Sequence, residues 1–376
     1  MAADYLLSIV VPTKNRYQYL KKLIELYIKL GTLKVELVIQ DNSDTNKEIL
    51  EYLNEVNSPT IKYFYEDKHL SVSENSNLAV LNSTGEYICF LGDDDGFVLN
   101  IVECVSEMKE MGLEAAIFPQ IVYNWPDFYD NSLFKLYSTL QMPKSLKSFN
   151  SKWVKLDAKA ELDDIMKKGF PNLGRMPRVY QGIVKRGVLD EVYKRCDTVF
   201  PGSSPDMGNA VALSTIVKNF AYKDSPIIIS GQGSKVGGGE RVLGRNNLMH
   251  IKDRESLPSD ILERWSPFLP PYWCTETIWP QSAYETYNKL GISTELFNWD
   301  KILARFCVFH HHYYNEAKAN FCSSSGYFYM LTILLNKVLV YFADRLLFFV
   351  SRGKRTYRNI IRKNVRDIIE AEEILC

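Results

Sequence analysis

EYICFLGDDDG (Glu86–Gly96) is a short apolar run that ends in three consecutive aspartates. Like charges side by side repel, and each resists leaving water unless something positive compensates it. Two readings follow. The triplet is a solvated turn that caps the next helix, or it meets a divalent cation, because Mg²⁺ and Mn²⁺ prefer carboxylate oxygens. Alternate residues of an extended segment face the same way, so Asp93 and Asp95 can share a side.

The neighbouring segments decide between these readings. LLSIVVP (Leu6–Pro12) is β-branched and apolar, and reads as a buried parallel strand. Leu20, Leu23, Ile24, Tyr27 and Leu30 then recur at helical spacing, and Gly31 is a stop. VELVIQ (Val35–Gln40), IKYFYE (Ile61–Glu66), EYICFL (Glu86–Leu91) and LEAAIFPQ read as further strands, each separated from the last by a helical segment. The alternation predicts an α/β fold with an open, doubly wound, mostly parallel sheet. Ligands of such sheets bind beyond the carboxyl ends of the strands. Three polar clusters fall at those ends: Thr13–Arg16, Asp41–Asp44 and Asp93–Asp95. No GxGxxG is present, which counts against a dinucleotide fold.

SIVVPTKNR, VIQDNSD and GEYICFLGDDD, in this order and spacing, resemble the family 2 glycosyltransferases of the GT-A fold. The resemblance is strong over roughly the first third of the chain and faint over the next. It implies an inverting transferase that uses a nucleotide-diphosphate sugar, a UDP-sugar in the first instance, and Mn²⁺ or Mg²⁺. Departure of the nucleotide puts negative charge on the β-phosphate, which a carboxylate-held cation neutralises. By resemblance, Asp95 is the metal-binding aspartate, with Asp93 assisting at the metal and both Asp93 and Asp94 at the donor. Asp41 matches the residue that accepts from the uracil ring, though DNSD alone also reads as an Asx turn. Pro12, Thr13 and Asn15 would line base and ribose, and Asn77 belongs to the same pocket. Two departures stand out. Gly92 replaces the first acid of the usual DxDD, and Ser76 replaces an arginine often found there, so a cation must come from elsewhere.

An inverting transfer also needs a carboxylate to take the acceptor hydroxyl's proton. FPGSSPDMGNAVALSTIV contains a helix start with Asp206 in its first turn and Ala210, Leu213, Ser214 and Val217 on one face. Asp206 matches the family's catalytic base by position. The same aspartate also reads as a plain cap, and Asp190 and Asp197 stand on less telling ground. A helix N-terminus is expected to lower its pKa. GQGSKVGGGERVLGRNN (Gly231–Asn247) reads as a loop closing over the diphosphate, with Lys235 and Arg241 as its cations, or as a plain connector. Trp125, Tyr129 and Trp153 are candidates for stacking on an acceptor sugar, against burial in a core. The run His310–His312 is not read as a metal site, since consecutive histidines cannot all face one ion.

The chain has 376 residues, with 45 basic and 45 acidic side chains, so no global field recruits nucleic acid. Seven scattered cysteines without CxxC suggest reduced thiols and a cytoplasmic setting. MAADYLLSIVVPTK does not read as a signal peptide. YFYMLTILLNKVLVYFADRLLFFVS is apolar, but Asn336, Lys337, Asp344 and Arg345 interrupt it and read as one polar face of an amphipathic helix. Seven basic residues and no acid follow between Arg352 and Arg366. Contact with the inner face of a membrane and homo-oligomerisation through these helices both fit. The expected organisation is a nucleotide-sugar-binding half (1–120), an acceptor-binding half (121–255) and a helical C-terminal region with a basic tail (256–376). The acceptor would be a glycan or lipid-linked hydroxyl of surface polysaccharide, capsule or teichoic-acid type. A nucleotidyltransferase and a non-catalytic sugar-nucleotide or glycan-binding scaffold are the alternatives.

Overall fold

The computed structural model describes residues 5–129, 138–143, 149–234, 248–254, 257–258, 260–350 and 358–376. Its first four strands are β1 (Leu7–Thr13), β2 (Val35–Asp41), β3 (Ile61–Tyr65) and β4 (Tyr87–Phe90), joined by α1 (Tyr17–Ile28), α2 (Lys47–Val56) and α3 (Val72–Leu81). β1 pairs in parallel with β2 on one side and β4 on the other, and β3 extends the sheet beyond β2. The chain therefore winds outward to β3 and then crosses back over β1. That reversal opens a crevice between the carboxyl ends of β1 and β4. Thr13 stands at one lip and the aspartate triplet at the other.

β5 (Gly96–Phe97), α4 (Ile101–Glu110), β6 (Ala115–Ile117), β7 (Ile121–Asn124), β8 (Thr139–Pro143), β9 (Trp153–Leu156), α5 (Ala158–Lys167), β10 (Gly182–Lys185), α6 (Arg186–Cys196), α7 (Pro205–Ile216), β11 (Phe220–Lys223) and β12 (Ile228–Gln232) follow. The large sheet runs β3-β2-β1-β4-β10-β6-β11-β9. β10 is antiparallel to both of its neighbours. Helices cover both faces. Leu7, Ile9 and Val11 of β1 pack with α1 and α4, while Val10 turns to α3, α6 and α7. This alternation, apolar on both sides, is the mark of a buried parallel strand. The GEYICFL run thus becomes β4, and LEAAIFPQ becomes β6 plus the turn into a second sheet, β8-β7-β12-β5, which the sequence did not announce.

α7 departs from the one-faced helix expected. Met207 to Ser214 are all buried. Met207, Ala210 and Val211 pack into a further core with α5 and with α8 (Thr275–Lys289), which lies on the side away from the sheet. Small residues make this approach feasible. A Cβ on Gly202 would come within 2.7 Å of Ser282 Cβ, and one on Gly208 within 2.5 Å of the Gly202 nitrogen.

The C-terminal region adds a short hairpin, β13 (Met249–His250) with β14 (Tyr272–Trp273), then α8, α9 (Trp299–Phe309), α10 (Tyr314–Lys318) and α11 (Ser325–Val350). The tail does not stay with these helices. β15 (Arg358–Lys363) adds to the second sheet beside β8, and α12 (Ile368–Leu375) packs Ile368 and Ala371 into the N-terminal core. Gly96 has no room for a side chain, because Ile368 Cγ1 lies 2.4 Å from where its Cβ would stand. Part of the run read as a basic extension is therefore a sheet strand. Lys337 points toward α9, 4.3 Å from the Phe309 ring centre, while Tyr327, Phe328, Leu331, Leu335, Leu339 and Phe342 are exposed. Among the described residues no helix is long and apolar enough to cross a membrane.

Candidate active site

The three strand-end clusters converge. Thr13 Oγ1 donates to Asp93 Oδ2 at 2.6 Å, and Arg16 Nε lies 2.9 Å from the same oxygen. Asn15, with φ +58°, exchanges hydrogen bonds with Asp44, and its backbone N–H donates to Ser43 Oγ at 2.7 Å. Asn15 thereby sews the loop after β1 to the loop after β2. Asp41 is buried. Its Oδ2 accepts from the hydroxyls of Tyr17 and Tyr63, both at 2.7 Å, and Oδ1 accepts from the Ser43 N–H. A nucleobase reaching Asp41 would share or replace a tyrosine hydroxyl. Pro12 is half-buried on β1.

The triplet sits in a cradle of backbone amides. Gly92 N–H donates to Asp95 Oδ2 and Gly231 N–H to Asp95 Oδ1, each at 2.8 Å. Gln181 Nε2 adds a third bond at 3.1 Å. Gly233 N–H donates to Asp94 Oδ2 at 3.1 Å. Gly92, which broke the expected acidic pattern, thus serves the neighbouring acid with its own amide. A Cβ on Gly231 would lie 1.7 Å from the Asp94 carbonyl oxygen, so only glycine fits. The start of the glycine-rich segment is a fixed floor under the aspartates. Lys235 and Arg241, read as donor cations, lie outside the described residues.

Burial dominates the electrostatics here. It pushes Asp95 up to about 6 against its hydrogen bonds, and raises Asp93 despite Arg16 and Thr13. Burial, with the charges of Asp95 and Asp93, lifts Asp94 well above the carboxylate range. Asp93 Oδ1 is buried without a hydrogen-bond partner. An orphaned carboxylate oxygen in an acid-rich loop fits a missing cation. Asp93 and Asp95 have the oxygens to hold one.

Asp206 is second in α7 after Pro205. Burial raises it to about 6 and Arg178 pulls it back. The expected lowering by the helix end is therefore overcome by desolvation, which leaves a better base near neutral pH. Val179 N–H donates to Asn209 Oδ1 of α7 at 3.0 Å and Gln181 Nε2 to Asp95, so the segment between them links α7 to the aspartate cradle. The loop before Asp206 hangs on α8: Ser203 N–H donates to Glu285 at 2.6 Å and Ser204 N–H to Ser282 Oγ at 2.7 Å. Asn77 faces this loop, where Oδ1 accepts from Val199 N–H at 2.8 Å and from the Thr198 hydroxyl. It braces the helix start rather than pointing at the aspartates.

Arg16, Arg178, Tyr180 and Gln181 were not singled out from sequence. Arg16 ended the first polar cluster and lies on Asp93, while Arg178 favours the ionised form of Asp206. The segment Arg178–Gln181 carries no periodicity, and its only signal is polar residues ahead of a short strand. Trp125 is buried with its Nε1–H on the Asp94 carbonyl, so it supports the cradle and offers no face to a sugar. Trp153 bonds Glu107 at the far edge of the sheet.

The site is therefore an α/β fold with a buried acidic cluster at the strand reversal and a further carboxylate, Asp206, at the start of α7. Residues 8–153 match the model of glycosyl transferase family 2. WcaA of Escherichia coli K12, named as a colanic acid biosynthesis glycosyl transferase, is 32% identical over 101 residues, covering 27% of this chain and 36% of that one. The GalNAc(5)-diNAcBac-PP-undecaprenol beta-1,3-glucosyltransferase of Campylobacter jejuni is 28% identical over 109 residues, covering 28% and 35%. The chain thus spans about a third of the length of the curated relatives it matches. Among solved structures, Staphylococcus aureus TarS 1–349 with UDP-GlcNAc aligns at TM-score 0.49 and 14% identity, over 82% of this chain and 73% of that one.

Proposed function

We propose that this protein is an inverting, metal-dependent glycosyltransferase that moves a sugar from a UDP-sugar to a hydroxyl of a lipid-linked or glycan acceptor in surface-polysaccharide assembly. The observation that carries the reading is the segment Val179–Gln181, which bonds Asn209 of α7 at one end and Asp95 at the other. A diphosphate held at Asp95 and an acceptor hydroxyl held at Asp206 would then meet in one cleft. Asp206 takes the proton as the acceptor oxygen attacks the anomeric carbon. The bond from that carbon to the β-phosphate oxygen breaks, and its electron pair leaves with the nucleoside diphosphate. Attack opposite the leaving group inverts the centre. Mn²⁺ or Mg²⁺, held by Asp95 and Asp93, would supply charge neutralisation for the diphosphate.

The names of both relatives, in colanic acid synthesis and on an undecaprenyl diphosphate glycan, support such an acceptor. The exposed apolar stripe of α11 supports docking on an anionic lipid surface, since the basic run from Arg352 complements anionic headgroups. The test is calorimetric titration of UDP with Mn²⁺ and with chelator, for wild type and Asp95→Ala, followed by the anomeric configuration of the product. Mn²⁺-dependent UDP binding that is lost in Asp95→Ala, with an inverted product, is expected. No metal-dependent nucleotide binding, or a retained configuration, overturns the reading.

A further inference from the structure

We propose that Cys274, Glu276 and His310 form a binding site for one Zn²⁺-like divalent ion, separate from the aspartate triplet. Cys274 precedes α8, Glu276 lies in its first turn, and His310 follows the last residue of α9. Their ligand atoms all lie within 4.8 Å of one another. Glu276 Oε2 and His310 Nε2 are 3.1 Å apart. Tetrahedral zinc, with bonds of about 2.0–2.3 Å, holds its ligands roughly 3.3–3.8 Å apart, so a small closure suffices. Thiolate, imidazole and carboxylate together suit zinc better than Mg²⁺ or Ca²⁺.

An ion pair accounts for Glu276 with His310, but it does not account for a thiol at the third corner. Thr277 Oγ1, 3.3 Å from Cys274 Sγ, orients that thiol. Arg305 approaches the other carboxylate oxygen, Glu276 Oε1, at 3.6 Å and leaves Oε2 to the site. Of the three consecutive histidines only His310 turns here, while His311 and His312 pack ring to ring. Three protein ligands leave a fourth position for water. The ion would pin α8 to α9, and α8 carries Ser282 and Glu285, which seat the loop before Asp206.

The test is Co²⁺ titration into the metal-free full chain, read by the thiolate-to-cobalt absorption band, with Zn²⁺ as competitor and a parallel melting curve. One Co²⁺ per chain giving that band, displaced by Zn²⁺, is expected in wild type, in Asp95→Ala and in Cys322→Ser. Cys274→Ser removes the band, His310→Ala weakens binding at least about tenfold, and Zn²⁺ raises the wild-type melting temperature but not that of Cys274→Ser. Absence of the band in wild type, or its persistence in Cys274→Ser, overturns the site. If Cys274→Ser fails to fold, Glu276→Gln decides: unchanged Co²⁺ affinity in that variant overturns the site, and weakened affinity supports it.

Discussion

Gly231 donates its backbone N–H to Asp95 Oδ1 at 2.8 Å from a position where a Cβ would stand 1.7 Å from the Asp94 carbonyl oxygen. The end of β12 and the aspartate turn are therefore one unit. Gly231→Ala should destabilise the fold by about 3 kcal/mol, as forced overpacking does. It should also abolish metal-dependent UDP binding. Denaturant unfolding and calorimetry check both, and a variant with wild-type UDP affinity would separate the glycine from the site.

Asp206, raised to about 6, must be ionised to act as base. The turnover rate should therefore rise with pH through about 6 and level off above it. Arg178 favours the ionised form, and Tyr180 carries no positive charge to replace it. Arg178→Ala should move that limb upward by roughly one unit. A pH–rate profile measures both. A limb that stays in place would mean that Asp206 is not the group reported.

The same burial has a stability cost with a definite sign. The folded protein holds the Asp206 proton to a higher pH than the unfolded chain, so stability falls as pH rises between about 4 and 6. Asp206→Asn should remove turnover and yet stabilise the protein at pH 7 by about 1 kcal/mol, the shift being discounted for partial solvent access. Thermal melts at pH 4 and pH 7 test this, with the gain expected only at the higher pH.

Glu285 holds Ser203 from α8 and takes no part in the donor cradle. Glu285→Ala should cost about 2–4 kcal/mol. It should lower the turnover rate at least about tenfold while leaving UDP affinity unchanged. Equal loss of both would mean that α8 supports the whole cleft rather than its acceptor side.

Leu331, Leu335 and Leu339 are exposed on α11. Changing all three to Asp should leave stability within about 1 kcal/mol, as surface changes do. The variant should no longer float with vesicles containing phosphatidylglycerol. A wild-type chain that ignores those vesicles but sediments as a dimer, with the variant monomeric, would assign the stripe to a second copy.

The local signals of this chain were sufficient for the first four strands. Apolar runs closed by polar clusters, with helical periodicity between them, specified β1 to β4 and their helices. This is because parallel strands and their crossovers are set by nearest-neighbour patterning. The places of Asp95 at the end of β4 and of Asp206 in the first turn of α7 were legible as well, since each follows a local start or stop signal. The partners of those residues were not. Arg178, Tyr180 and Gln181 reach the site only after β10 inserts antiparallel between β4 and β6. Gly231 matters only because a strand more than a hundred residues downstream closes on Asp95. The tail read as a basic extension, yet Ile368 fills the space over Gly96. Desolvation reversed the expected shift of Asp206 for the same reason. Burial belongs to the assembled fold, where distant segments remove water from a group, and no window of sequence contains it.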